Sequence, residues 1–175
     1  MLNYRAGDAA AFEALYQRHK GGVYRYILRQ CRNESLAEEL FQDVWMNLIN
    51  ARRRYTVKAK FSTWLYRIAR NRVIDHFRRQ HNPGNPGMEN GSLDPDDLPG
   101  RRQDQPEQQV AIRDASERLF ALIAGLPEEQ RETFLLREEA GMSLVEIAKT
   151  TGVNTETAKS RLRYAVNKLR AGLAE

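Results

Sequence analysis

Between Tyr55 and Arg79 aromatic rings alternate with cations: Tyr55, Phe61, Trp64, Tyr66 and Phe77 stand among Lys58, Lys60, Arg67, Arg70, Arg72, Arg78 and Arg79. Ring faces accept unstacked bases at about 1–3 kcal/mol per base while the cations hold phosphates, so this composition suits single-stranded or opened DNA. Nothing in the stretch is catalytic. A plainer reading makes the rings core residues and the arginines a solvated exterior. It fits Leu65, Ile68 and Phe77 but leaves Arg67, Arg70, Asn71 and Arg78 in want of a partner.

A second constellation lies near the C-terminus. Ser143 with Glu146 three residues on is a capping-box pattern opening a short helix in which Ile147 and Ala148 face inward. Gly152 then turns the chain, and Asn154 or Thr155 caps a longer helix whose buried stripe is Ala158, Leu162, Ala165 and Leu169. Short helix, glycine turn, longer helix is the helix-turn-helix plan. The opposite face of the longer helix carries Thr155, Glu156, Lys159, Ser160, Arg163 and Asn167 with Arg161 beside them, side chains able to reach base edges and phosphates in a major groove. Six basic residues and one acid lie between Lys149 and Arg170. A bare basic face could be any solvated helix; the turn glycine, the small Ala148 and the two caps together favour DNA binding.

The third stretch is Ser35 to Ile49. Its Leu36, Leu40, Val44 and Leu48 form one stripe, while Phe41, Trp45 and Ile49 lie to the side, more apolar surface than one core face absorbs. Either a small bundle buries them, or they form a protein-docking face with an aromatic anchor and an acidic rim of Glu38, Glu39 and Asp43. The residues leave both readings open.

The elements that must hold these groups are helices. Asp8 is a plausible N-cap for one amphipathic helix to about Cys31, weakened in its middle by Gly21 and Gly22. Ser35 with Glu38 announces a second. A third starts near Ser62 and aligns Leu65, Ile68, Ala69, Val73 and Phe77. Pro106 reads as a first-turn residue of a helix carrying Ile112, Ala115, Leu119 and Leu122 on one stripe to about Gly125. Pro127 opens another, stopped at Gly141. No run alternates well enough for a buried strand, which argues against a receiver domain with its parallel sheet. The expected fold is all-α: two small helical domains over residues 1–80 and 109–175, joined by a flexible linker at 81–108 that holds five of the six prolines.

Charge follows the same division. Residues 1–80 hold 16 basic and 7 acidic side chains, residues 81–108 hold 2 and 6, and residues 109–175 hold 10 and 10. The formal net charge of +5 and pI near 9.5 point toward polyanionic partners. A mean hydropathy of −0.68 leaves nothing near the 18 apolar residues of a membrane span. With a single Cys31 and no secretory leader pattern, the expected setting is soluble, reducing and cytoplasmic, without membrane insertion. A metal-dependent enzyme would need His19, His76, His81, Asp75 and Cys31 to converge. His19 reads as a core histidine, Asp75 and His76 point to different helix faces, and no phosphate-cradling loop, zinc spacing or nucleophile elbow is present. No cofactor, metal or catalytic residue is expected.

Taken in order, Gly7-Asp-Ala-Ala-Ala-Phe12, Ala37-Glu-Glu-Leu-Phe-Gln-Asp-Val-Trp45, Phe61-Ser-Thr-Trp-Leu-Tyr-Arg-Ile-Ala-Arg-Asn71, Leu126-Pro-Glu-Glu-Gln-Arg131, and Glu146-Ile-Ala with Thr157-Ala-Lys-Ser-Arg161 resemble the sigma-70 family of bacterial transcription initiation factors. They are similar to its small two-domain branch, the extracytoplasmic-function (ECF) sigma factors. The resemblance covers nearly the whole chain. It implies a non-enzymatic specificity subunit of RNA polymerase. Glu38, Glu39, Phe41, Gln42, Asp43 and Trp45 would dock on the clamp helices of the polymerase's largest subunit. Tyr55, Lys58, Lys60, Phe61, Trp64, Arg67, Arg70, Asn71 and Arg78 would open and read the minus-ten promoter element, with a base flipped into a pocket. Thr155, Glu156, Lys159, Ser160, Arg161 and Arg163 would read the minus-thirty-five element, and Leu126 to Gly141 would lie against the polymerase flap. An anti-sigma partner is a further implication. Asn154 stands where the family often has Pro, and Ala158 where it often has Val.

The rival class is a stand-alone helix-turn-helix regulator that senses a ligand with its N-terminal bundle. It predicts a tight promoter complex without polymerase and a dimer, since one such motif contacts a half-site. The sequence carries no obvious heptads to build that dimer.

Overall fold

A computed structural model describes residues 1–80 and 106–174, with side chains from 115 onward in the second part. Every long element among these residues is an α-helix: α1 (Leu2–Arg5), α2 (Ala9–Cys31), α3 (Glu34–Ala51), α4 (Phe61–Gln80), α5 (Pro106–Ala124), α6 (Glu128–Glu138), α7 (Leu144–Thr151) and α8 (Thr155–Ala174), with a 3-10 turn at Arg52–Arg54. The expected linker falls at residues 81–105 outside the described set, and its last three positions, from Pro106, already belong to α5. His81 also lies outside it.

The first module is α1 to α4. Asp8 caps α2 by accepting from the Ala11 amide at 3.1 Å, and the helix runs through both glycines to Cys31. Arg32 then takes a left-handed conformation at φ 56°, and its amide closes the helix on the Leu28 carbonyl. The next helix does not use the expected Ser35–Glu38 box. Asn33 is the cap, extended at φ −143° and accepting from the Leu36 amide at 2.8 Å, so Ser35 is already inside α3. Val23 and Ile27 of α2, Leu40, Val44 and Leu48 of α3, and Leu65 and Ala69 of α4 form the core, each almost wholly removed from solvent.

The second module is α5 to α8. Glu128 follows Pro127 into α6, and Leu135, Leu136, Met142, Ile147, Ala158 and Ala165 are buried against Ile123 and Leu126 of the preceding segment. Ala115, expected on the buried stripe of α5, is exposed; the inward residues of that helix lie toward its C-terminal end, where Leu119, Leu122 and Ile123 pack. Helix α5 meets the far end of α8 through Arg118, which donates to the Gly172 carbonyl at 2.9 Å, and Lys168, which donates to the Gly125 carbonyl at 3.0 Å.

The two modules touch. Helices α5 and α6 lie along α2, and polar bonds cross the seam at several points, taken up below.

Candidate nucleic-acid and polymerase interface

The segment from Tyr55 to Lys60 leaves the 3-10 turn and enters α4. Arg5 of α1 anchors its start by donating to the Tyr55 carbonyl at 2.8 Å, and Arg52 lies 5.4 Å over the Tyr4 ring. Tyr55 itself is buried, edge-on to Trp64 at 4.8 Å and to Phe61 at 6.5 Å. Phe61 also meets His19 at 5.2 Å, and burial together with Arg18 lowers the pKa of that imidazole, which favours its neutral form. Of these rings Tyr55 and Trp64 line a cleft of about 240 Å³ edged by Arg54, Thr56, Lys58 and Arg67. That is below the roughly 300–1,000 Å³ of pockets for drug-sized molecules and fits a smaller planar group.

Lys58 and Arg67 at the cleft are exposed, as are Lys60 beside it and Asn71 and Arg78 further along α4, and Phe61 and Trp64 are half-buried. Arg78 pairs with Asp75 on its own helix at 3.4 Å. Arg70 differs. Its guanidinium is turned to the second module and meets Glu132 of α6 at 2.8 Å, with only 19% of the side chain exposed. The expected face of Arg67, Arg70, Asn71 and Arg78 is therefore present, with two of its four members engaged by carboxylates, Arg78 on its own helix and Arg70 across the seam.

The helix-turn-helix forms from its own caps. Ser143 Oγ accepts from the Glu146 amide while Glu146 Oε2 accepts from the Ser143 amide at 2.9 Å, the reciprocal box the spacing predicts. Gly152 sits at φ 75° in the left-handed region, where a Cβ is disfavoured. Asn154 caps α8 by accepting from the Thr157 amide at 2.7 Å, so the departure from Pro leaves the helix with a side-chain cap. Ala158, Ala165 and Leu169 face inward, and Leu162 is half-buried. Thr155, Glu156, Lys159 and Arg163 are exposed at the start of α8 and along its outer face; Ser160 is half-buried. Arg163 stacks 5.2 Å from the Tyr164 ring, which is itself 55% exposed. Arg161 lies at the edge of this face and pairs with Glu129 of α6 at 2.6 Å. Tyr164 and the exposed Val145 of α7 carry no periodic signal, because each is an isolated apolar residue on a basic face.

On α3 the outward stripe is Ser35, Glu38, Glu39, Gln42, Met46 and Asn50, all exposed. Asp43 is half-buried and lies 3.8 Å from Arg72 of α4. The aromatic members of the expected docking set are elsewhere. Trp45 is 5% exposed and held edge-on by Tyr16 at 4.8 Å, Phe12 at 6.0 Å and Phe41 at 6.1 Å. Its indole Nε1 has no hydrogen-bond partner among the described residues. In this conformation Trp45 cannot enter a partner's pocket; it props the outward stripe from beneath. Met46, 55% exposed, is the apolar group that stripe presents.

Among the described residues no three His, Cys, Asp or Glu side chains are placed to hold a metal ion, and no helix is long and apolar enough to cross a membrane.

Two exposed basic faces, one ring-lined and one a helix-turn-helix, on a chain of paired helical bundles are the layout of a promoter-recognition factor. The comparisons agree: family models for Sigma-70 region 2 and Sigma-70, region 4 match residues 15–82 and 116–169. The RNA polymerase sigma factor CarQ of Myxococcus xanthus is 31% identical over 180 aligned residues, which cover all of this chain and 96% of that one. The ECF RNA polymerase sigma factor RpoE of Cereibacter sphaeroides is also 31% identical, over 93% of this chain and 86% of its own. The fold matches that of the sigma factor RpoE of Bartonella quintana, solved in complex with the anti-sigma factor NepR, at a TM-score of 0.70 and 20% identity over 94% of this chain and 97% of that one. The chain belongs to the sigma-70 family and is an ECF RNA polymerase sigma factor.

Proposed function

We propose that the two modules divide the work of initiation. The region 2 module, residues 1–80, binds core polymerase through the outward stripe of α3 and takes the minus-ten element. The region 4 module, residues 109–175, reads the minus-thirty-five element with α8. The observation that carries this reading is the separation of three surfaces on rigid helices: an acidic stripe with an apolar centre, a ring-lined cleft edged with cations, and a capped recognition helix.

On α3, Glu38, Glu39, Gln42 and Met46 offer one hydrophobic contact ringed by acceptors, suited to a basic partner helix such as those of the polymerase clamp. Phe41, Asp43 and Trp45 serve that face by holding its backbone. At the minus-ten element Lys58, Lys60, Arg67, Asn71 and Arg78 track the phosphates of an opened strand, while the Tyr55 and Trp64 rings receive a flipped base in the cleft and Phe61 supports Trp64 at 6.0 Å. On α8, Thr155, Glu156, Lys159, Ser160 and Arg163 lie where major-groove edges pass, and Arg161 joins them once freed from Glu129. Leu126 to Gly141 faces the flap. The chain contributes no catalytic group; polymerase performs the phosphoryl transfer. An anti-sigma protein that covers these same surfaces is the natural antagonist, and the Bartonella quintana relative was solved with one.

Separation of roles makes the test. Arg163→Ala is expected to weaken promoter selection by about tenfold, the scale of one lost base or phosphate contact, while core polymerase affinity is unchanged. Met46→Glu is expected to do the reverse. Equal loss of both activities in either variant contradicts the division.

A further inference from the structure

Helix α1 lies ahead of residue 15, where the match to Sigma-70 region 2 begins. It is nonetheless a fixed part of the first module. The chain turns at Gly7, φ 108°, between α1 and the Asp8 cap of α2. Tyr4 is buried and its ring meets Phe12 of α2 at 5.0 Å, so α1 is packed down at its centre.

From that seat α1 grips both sides of the bend that leads from α3 into the cleft. Arg52, the first residue past α3, places its guanidinium 5.4 Å over the Tyr4 ring. Three residues on, the Tyr55 carbonyl accepts from Arg5 Nη1 at 2.8 Å. The bonds the bend makes for itself are local: the Tyr55 amide donates to the Arg52 carbonyl at 3.3 Å, and the Lys58 amide to the Thr56 carbonyl at 3.0 Å. Arg5 ties this short-range turn to an element 50 residues earlier in the chain.

The residue whose carbonyl Arg5 holds is also the one whose ring lines the cleft beside Trp64. Arg5 is not among the lining residues, so any effect it has on a captured base passes through Tyr55. A ring fixed beforehand costs no ordering when the base arrives, whereas one that settles only on capture subtracts that entropy from binding.

We propose that α1 is the positioning element of the base-capture cleft, with Arg5 fixing the main chain of Tyr55 and Tyr4 seating Arg52. Both are positioning residues that leave the DNA to their partners. This inference rests on the assignment of the cleft to the minus-ten element made above.

The test uses holoenzyme assembled from the full chain and core polymerase, on a promoter taken from the chain's own mapped start sites. Permanganate oxidises unstacked thymines, so the reactive fraction at the minus-ten element reads opening. At the temperature where the parent holds half of the promoter open, Arg5→Ala is expected to lower the opening equilibrium about tenfold, the scale of one hydrogen bond from a charged donor. Tyr4→Leu, which keeps apolar bulk under Arg52 and removes the ring face, is expected to lower it about threefold. Helix content by circular dichroism and core polymerase affinity are expected to match the parent in both. The slope of log affinity against log salt for the closed complex, measured in the cold, is expected to stay at the parent value, whereas loss of a phosphate contact would reduce it by about 1. Parental opening by Arg5→Ala overturns the positioning role. So does a slope reduced by about 1, which would make Arg5 a DNA contact in its own right, and so does a parallel loss of core affinity, which would make it a general prop of the module. A chain that yields no start sites with polymerase refutes the functional reading and this inference with it; a parent that opens the promoter beside an unaffected Arg5→Ala refutes the positioning alone.

Discussion

Gly22 lies in the middle of a 23-residue helix, a place where glycine costs about 1 kcal/mol relative to alanine. A methyl group at its Cα would lie 2.5 Å from the Tyr66 hydroxyl and 3.5 Å from the Glu139 carbonyl. Tyr66 cannot swing away cheaply. It is 1% exposed, its ring stands edge-on to Tyr26 at 5.5 Å, and its hydroxyl is bonded across the seam. Gly22→Ala must therefore break that bond or push α6 off α2. Leaving a buried hydroxyl unpaired costs about 1–3 kcal/mol, which outweighs the helix-propensity gain. The net expectation is a loss of about 1 kcal/mol, or roughly 2–4 °C in Tm for a chain of this size. Tyr66→Phe removes the obstructing oxygen. In that background Gly22→Ala is expected to stabilise by up to about 1 kcal/mol, so a double-mutant cycle followed by urea unfolding reads a coupling of about 2 kcal/mol. Additive effects, or a Gly22→Ala chain more stable than the parent, would refute the claim that this glycine exists to admit the module contact.

Other outcomes follow from the first module's ring cluster and from its titrating groups. Trp45→Ala is expected to cost about 3–5 kcal/mol in chemical denaturation, and Trp45→Phe less than half of that, because the indole N–H it deletes has no partner to lose. Acidification is expected to weaken the fold in two stages. The His19 pKa is lowered from 6.5 by burial and by Arg18, so the unfolded chain binds the proton first and stability declines as pH drops from 6.5 through the folded value. Glu146 is lowered from 4.5 chiefly by its bond from the Ser143 amide and then by that from Thr63, so its contribution is present above 4.5 and lost as pH falls through the folded value. Melting temperatures across pH 3–8 (about six points) should show the second stage vanish in Glu146→Gln; a stage that persists there belongs to another group.

The helix starts that sequence located were those in which one residue both carries a capping oxygen and leaves the helix. Asp8 and Ser143 qualify, as does Asn154 of the pair Asn154 or Thr155, and each accepts from an amide three residues on. Ser35 failed because Asn33, two residues earlier, stands first outside the helix after the left-handed Arg32, and the cap goes to the outermost competent residue. The placement of Trp45 was not legible from its own helix. Its spacing fits a flank as well as a core, and the choice is made by Phe12 and Tyr16 arriving from α2 to cover it. Arg70 shows a different limit. Its spacing puts it on the cationic face, but its partner lies 62 residues away on another module, and no local pattern encodes a contact of that range. The recognition helix was the most legible part, since caps, turn glycine and inward alanines are local devices that agree with one another.

The most direct test of the account is reconstituted transcription on genomic DNA with core RNA polymerase, with and without the purified chain, followed by sequencing of transcript 5′ ends. A small set of discrete start sites that appear only with the chain, sharing sequence elements about 10 and 35 base pairs upstream, is the predicted result, since each module reads one element. Start sites unchanged by the chain, or a chain that leaves core polymerase unbound, would contradict it.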